Sequence, residues 1–234
     1  MGTEDGAGVS PVGPVAPVGS IGLDEAYSVK TPDENRRLYA KWAATYESEF
    51  VDKEKYRYPR AVAEVFANEV SRQDVLTVLD IGTGTGLTGM YLSRLRSELT
   101  IDGVDISAEM LGQAMAKRHP DGRLVYRQLL ERDLTQQVAA TNAPYDALIS
   151  SGTFTHGHLG PSAIDNLIPL LRPGGWIVIG VNNEHFLAEG FDKKLAGLVG
   201  DGIITEPKVE RIDVYGEGSA HRGDQARVLI FVRR

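Results

Sequence analysis

The stretch VLDIGTGTGLTG, residues 78–89, decides the fold. An apolar strand runs into Asp80, Gly82, Gly84 and Gly86 then alternate with Thr83 and Thr85, and a helical pattern opens at Leu87. Glycines at this spacing let the backbone pass close beneath a ligand and present amide donors at a helix N-terminus. An anionic or zwitterionic group suits such a place. The Gly-x-Gly-x-x-Gly spacing of nicotinamide sites is not the one here, because Leu87 follows Gly86 and the pattern is Gly-x-Gly-x-Gly. An acid two residues before the first glycine would repel a pyrophosphate, and it suits a ligand carrying an ammonium group.

Working outward, the hydrophobic period switches repeatedly between 2 and 3.6. VLTVLDIG, LTIDGVDI, RLVYRQLL, YDALISSG and GGWIVIG read as strands, with GLTGMYLSRL, SAEMLGQAMAKRH and PSAIDNLIPLL as helices between them. Strands alternating with helices predict a parallel sheet built from right-handed crossovers. The last part differs: a helical HFLAEGFDKKLAGLVG precedes KVERIDVYG and ARVLIFVRR, two strand-like runs joined by a polar loop without a helix. Such a pair forms an antiparallel hairpin. The expected architecture is α/β and Rossmann-like, with a mostly parallel seven-stranded sheet, helices on both faces and a C-terminal antiparallel hairpin.

Upstream, TPDENRRLYAKWAATYESEF offers an N-cap Thr31, Pro32 at the first helical position and acids in the first turn. Leu38, Trp42, Ala43 and Tyr46 share one face, and Val62, Val65, Phe66 and Val70 share a face of a second helix after Pro59. Met1 to Gly22 is rich in Gly, Pro and Val, with Pro-Val at Pro11, Pro14 and Pro17, a polyproline-like or disordered composition. The expected division is a tail over 1–30 and one domain over 31–234, in which 31–72 form a helical lid and 75–234 the core.

Composition narrows the function. The 234 residues include no cysteine, which excludes disulfides, thiolate metal sites and cysteine nucleophiles. A net charge of -7 opposes binding to a phosphate backbone and favours a small or neutral partner over nucleic acid. No basic leader with an apolar run and no 18-residue apolar stretch stands in the sequence, so a cytoplasmic protein without a membrane partner is the expectation.

Asp105 ends the second strand, where an acid accepts both hydroxyl protons of a ribose. Asp133 follows the third strand, placed to accept from an exocyclic amine. With Asp80, these acids stand at three consecutive strand ends, the crevice where open α/β sheets bind ligands.

At these residues the chain resembles the class I S-adenosylmethionine-dependent methyltransferases. The resemblance covers about Thr31 to Arg234 and includes LDIGTGTG, VDIS, RDL, YDALISSG, LLRPGGWIVI and the terminal hairpin. YAKWAATYESEF together with SSGTFTHGHLGP is also similar to the small methyltransferase-like family encoded in the Williams–Beuren region and its bacterial relatives. The resemblance implies S-adenosyl-L-methionine as cofactor. It implies that Asp80 and the loop Gly82, Thr83, Gly84, Thr85 and Gly86 hold the methionine end, Asp105 the ribose, and Asp133 with Leu134 the adenine. Ile106 and Met110 would pack on the adenine faces, and Ser150 and Ser151 would lie beside the sulfonium.

Aromatic residues of the leading helices, Tyr39, Trp42, Tyr46 and Tyr56, are either faces for a sulfonium or substrate, or the buried stripe of their helix. We expect Tyr46 at the cofactor and Trp42, Tyr56 and Phe154 at the substrate. Met90 and Trp176 read as core. In SSGTFTHGHLGP, His156 and His158 stand at the sheet's carboxyl edge as candidate general bases, since imidazole titrates near neutral pH. A structural role, hydrogen-bonding the loop or capping the next helix, is the alternative. A metal would need a third ligand such as Asp165, His185 or His221, and no familiar spacing supplies one. The expected activity is methyl transfer to a small-molecule O, N or C nucleophile. The alternatives are a cofactor-binding regulatory or assembly protein without transfer activity, and a methyltransferase acting on protein side chains.

Overall fold

A computed structural model describes Val29 and residues 31–73, 75–136 and 144–234. The expected tail thus lies outside the described residues, except Val29, which is buried against the loop at Gly157.

Helix α1 spans Pro32–Trp42, and its start is as the sequence dictates: Thr31 Oγ1 accepts from the Glu34 amide, and the Glu34 carboxylate accepts from the Thr31 amide. The helix does not run on to Phe50. It ends at Trp42, and Tyr46–Val51 forms a separate π-helical turn. The wider turn seats Tyr46 and Phe50 on Trp42, with ring centroids 5.0 and 5.3 Å away. Helix α2, Tyr58–Glu69, follows.

The core strands are β1 Thr77–Ile81, β2 Thr100–Asp105, β3 Tyr126–Glu131, β4 Tyr145–Phe154 and β5 Leu171–Asn182. Between them lie α3 Leu87–Leu95, α4 Ala108–Ala114 and α5 Ala163–Leu167. After β5 come α6 Asn183–Glu189, α7 Phe191–Gly200, β6 Lys208–Asp213 and β7 Gln225–Val232. The predicted single helix after β5 is broken in two by Gly190, whose φ of 74° is left-handed.

The sheet has seven strands in the order β3-β2-β1-β4-β5-β7-β6. All neighbours are parallel up to β5; β7 runs antiparallel between β5 and β6. The expected hairpin therefore forms, with its second strand inserted against the parallel sheet. Strand order reverses between β1 and β4, which opens a crevice at their carboxyl ends.

Both faces of the inner strands β1, β2, β4, β5 and β7 are buried, which is why they read as apolar runs, whereas the edge strands β3 and β6 are largely exposed. Val78, Ile149 and Val178 pack on one side with Val62 and Phe66 of α2, whereas their neighbours Leu79, Leu148 and Ile177 pack on the other with α7. Trp176 and Met90 are only half-buried, at the margins of these layers.

Phe154, expected at the substrate, is instead fully buried in the second layer, 6.2 Å from the Phe191 ring. The reason is strand parity: β4 continues to Phe154, and this position faces α7 rather than the crevice. Phe154→Ala should cost about 3–5 kcal/mol of unfolding free energy in a denaturant titration while leaving ligand affinity in the crevice within about twofold.

Candidate active site

A cavity of about 380 Å³ fills the crevice, within the range of small-molecule sites. Its floor is the glycine loop and the ends of β2 and β4; its roof is α1, the π-helical turn and the start of α2.

The loop turns sharply because Gly82, Gly84 and Gly86 have φ of 65°, 53° and 88°, which side chains rarely adopt. Thr83 Oγ1 donates to the Asp80 carbonyl at 2.9 Å, and the Gly86 amide donates to the Thr83 carbonyl at 2.9 Å. Gly82 through Thr85 line the cavity, while Gly86 sits behind them as the N-cap of α3. The glycines differ in what surrounds them: a Cβ on Gly82 would lie 2.0 Å from Thr153 Oγ1, whereas one on Gly84 would meet nothing within 4 Å.

Asp105 reaches the same loop. Its Oδ2 accepts from the Gly84 amide at 2.8 Å and its Oδ1 from the Ser107 amide at 2.9 Å. Each carboxylate oxygen carries two lone pairs, so capacity remains for two hydroxyl donors from a ligand. Burial pushes the carboxyl pKa up, opposed by the amides of Ser107, Gly84 and Ile106. Ile106 and Met110 line the adjoining wall. Asp133 and Leu134 close the far end, where Asp133 Oδ1 caps its own turn by accepting from the Thr135 amide at 2.9 Å and the Thr135 hydroxyl at 2.6 Å.

Asp80 is placed differently from expectation. It does not line the cavity but lies fully buried under the loop, where Tyr126 Oη donates to its Oδ2 at 2.7 Å. Tyr126 can reach it because two glycines leave its ring room: a Cβ at Gly89 would sit 2.3 Å from Tyr126 Oη, and one at Gly86 3.0 Å from the ring edge. Burial raises the Asp80 pKa to about 7, against the lowering effect of the Tyr126 hydrogen bond. Asp80 Oδ1 has no partner among the described residues. It supports the loop from below rather than meeting an ammonium directly.

Ser150 is likewise behind the wall, donating to the Ile81 carbonyl at 2.7 Å, whereas Ser151 lines the cavity with its hydroxyl 2.7 Å from Thr88 Oγ1. Tyr39, Tyr46 and Tyr56 line the roof; Trp42 is buried behind them and does not reach this cavity.

The two histidines separate. His158 lines the cavity, its Nδ1 2.8 Å from the His156 carbonyl, while His156 turns away and packs its ring 5.2 Å from His185. The cause is Gly157 between them, at φ 75°. Asp165 pairs with Lys194 at 2.5 Å and His221 lies 3.9 Å from Asp224, so neither converges on these imidazoles. Among the described residues no group of three His, Cys, Asp or Glu could hold a metal ion, and no helix is long and apolar enough to cross a membrane.

Sequence reasoning missed Asn35, Thr88, Arg132 and Thr153, which also line the cavity, and Tyr126 beneath it. Asn35 carried a signal, a polar residue one turn before Leu38 and Tyr39 on the inward face of α1. Tyr126 carried none, since an aromatic residue in a strand reads as core.

Gly82→Ala should destabilise the chain by about 2 kcal/mol or more, the left-handed penalty plus the clash with Thr153, whereas Gly84→Ala should cost only the 1–2 kcal/mol of backbone strain, roughly, and place its methyl in the cavity. Equal losses in thermal unfolding would contradict this asymmetry. For Asp80 the folded pKa lies above the unfolded one, so its stability contribution is present at low pH and is lost as pH rises from about 4 through about 7. Asp80→Asn lacks that loss and keeps an acceptor for Tyr126. Relative to wild type it should gain up to about 4 kcal/mol between pH 4 and 8, read by urea unfolding at each pH.

Residues 79–177 match the family model described as a methyltransferase domain. Over 125 residues the chain is 23% identical to the mitochondrial ubiquinone biosynthesis O-methyltransferase of Candida albicans, a match spanning 53% of this chain and 38% of that protein's length. Among solved structures, the N-methyltransferase NodS of Bradyrhizobium japonicum in complex with S-adenosylhomocysteine superposes with a TM-score of 0.60 at 16% identity, covering 85% of this chain and 97% of that one. The O-methyltransferase TomG of Streptomyces achromogenes in complex with SAM gives a TM-score of 0.55 at 16% identity, over 91% of this chain and 95% of that one. The match over residues 79–177, which hold the glycine loop at the end of β1, is thus to a methyltransferase domain, and the strand order is that of a fold shared with these solved methyltransferases.

Proposed function

We propose that the protein transfers a methyl group from S-adenosylmethionine to a small-molecule O, N or C nucleophile and releases S-adenosylhomocysteine. One observation carries the reading: a single roofed cavity brings the open cradle at Gly84, the carboxylates of Asp105 and Asp133, and the imidazole of His158 together. Relatives named as O- and as N-methyltransferases both share the fold, so the names do not choose the acceptor atom. The finer likeness to the Williams–Beuren-region family is supported by its two motifs meeting in space, where the Tyr39 ring lies 5.6 Å from that of His158.

The residues present fit the cofactor. Gly84 leaves space for a ligand against the backbone, Asp105 keeps acceptor capacity for two ribose hydroxyls, and Ile106 and Met110 offer apolar faces for a flat base. Asp133 and the Leu134 backbone would hold the edge of the base, and Tyr46 and Ser151, which line the same cavity, would lie beside the sulfonium. Bound there, S-adenosylmethionine supplies a methyl carbon activated by a sulfonium, open to in-line displacement. The chain's part is to orient the acceptor, exclude water under the roof, and take a proton where the nucleophile carries one.

His158 suits the last task. The His156 carbonyl can only accept, so Nδ1 carries the ring proton and Nε2 presents a lone pair; this nitrogen is buried with no partner among the described residues. Burial lowers the His158 pKa, with a smaller lowering from His185, so the ring is neutral at pH 7. His156 is a positioning residue through its carbonyl, which survives side-chain replacement.

Calorimetry should show S-adenosylmethionine binding to the full chain, and Asp105→Ala should abolish it; a wild-type chain that does not bind would end this reading. With a hydroxyl acceptor, His158→Ala should lower kcat by about 10²–10⁴ with cofactor affinity unchanged, while His156→Ala stays within about threefold. Because the His158 pKa is lowered, turnover should hold as pH falls through 6.5 and drop only below it. A pH–rate limb at or above 6.5 would count against His158 as the base.

A further inference from the structure

Behind the main cavity lies a second, smaller one of about 50 Å³. Tyr39, Tyr46, Tyr56, Gly152 and His158 line both, so the two spaces adjoin along these residues. The inner space is walled by aromatic rings, Trp42 and Phe50 among them, and no Asp, Glu, Lys or Arg lines it. Three of its lining residues nevertheless hold buried polar atoms without a partner among the described residues: Trp42 Nε1, Thr155 Oγ1 and His158 Nε2. Buried polar groups are ordinarily satisfied, and a cluster of unsatisfied ones around a single space marks a missing partner.

We propose, resting on the methyl-transfer reading above, that this inner cavity is the acceptor subsite and takes the uncharged hydroxyl of a phenol, whose proton passes to His158 Nε2. The donor and acceptor types select that class. Trp42 Nε1 can only donate, His158 Nε2 can only accept, and Thr155 Oγ1 does either. A neutral hydroxyl answers them, because it donates to the imidazole and accepts from an N–H or a hydroxyl. A quaternary ammonium would enjoy the aromatic walls but could accept nothing from Trp42. A carboxylate would be buried without a cation and could donate nothing to His158.

The flat body that carries the hydroxyl fits against Tyr39, Tyr46 and Tyr56, where ring-on-ring contact is favourable. Acidity separates phenols from aliphatic alcohols. A phenolic hydroxyl, with a pKa of about 10, yields its proton to an imidazole far more readily than an alkyl hydroxyl does. The step balances: the O–H bond breaks with its proton on Nε2, and the oxygen pair forms the new bond to the methyl carbon. That carbon's bond to sulfur breaks with its pair on sulfur, and water then takes the proton from the imidazolium.

The test uses the full chain loaded with S-adenosylhomocysteine, whose binding is scored first by calorimetry. Phenol, anisole, benzoate and phenyltrimethylammonium are then titrated by ligand-observed NMR. Phenol should bind about tenfold more tightly than each of the others, and Thr155→Val and Trp42→Phe should each weaken it about three- to tenfold without altering S-adenosylhomocysteine affinity. Circular dichroism checks the fold of both variants, and if Trp42→Phe does not fold, Thr155→Val decides alone. Anisole, benzoate or the ammonium binding as well as phenol, or phenol affinity untouched in the folded variants, would overturn the subsite. Failure of S-adenosylhomocysteine to bind the wild-type chain would instead overturn the methyl-transfer reading itself.

Discussion

The hydrogen bond from Tyr126 Oη to Asp80 Oδ2 underlies the geometry of the site. It joins the edge strand β3 to the central strand β1 across β2 and places the carboxyl beneath the turn. Tyr126 Oη also accepts from the Gly89 amide at 3.2 Å, so one phenol ties the strand end to the first turn of α3. The glycine loop is held between these two attachments, and its left-handed residues keep the conformation that opens Gly84 to a ligand. A carboxyl buried this deeply is costly as an anion, which is why burial raises its pKa and why the tyrosine donor matters.

That contact also marks the boundary of what the sequence discloses. Alternation of period, the hairpin, the glycine loop and the acid at Asp105 are local or nearly local signals, and each corresponds to an element or side chain at the cavity. The direction in which Asp80 points is not local. It depends on a tyrosine 46 residues away and on two glycines that clear the path. His156 and His158 show the same limit at shorter range: they are two residues apart, and a positive φ at Gly157 sends one ring into the cavity and the other toward His185. Phe154 and Ser150, expected at the substrate and beside the sulfonium, lie behind the wall because their side of β4 depends on where the strand ends.

The leading helices answer as both alternatives at once. Trp42 and Phe50 belong to the same buried layer as α2 and the sheet, whereas Tyr39, Tyr46 and Tyr56 are only partly buried and face the cavity. One aromatic stripe therefore serves as core on one edge and as roof on the other, and the π-helical turn makes that division possible by rotating Tyr46 off the regular helical track.

The roof is also joined to the wall that carries Asp105. Arg36 Nε donates to the Ile106 carbonyl at 3.4 Å, and Lys117 pairs with Glu47 at 2.6 Å. Ion pairs that are partly exposed stabilise by at most about 1 kcal/mol each, so these attachments position the roof more than they hold it. The holding is done by Trp42 and Phe50 in the core layer. A ligand seated on Asp105 and under Tyr46 touches both sides of this joint, and by linkage its binding energy adds to the stability of the roofed state. The same aromatic packing that closes the core thus also carries the roof of the cavity.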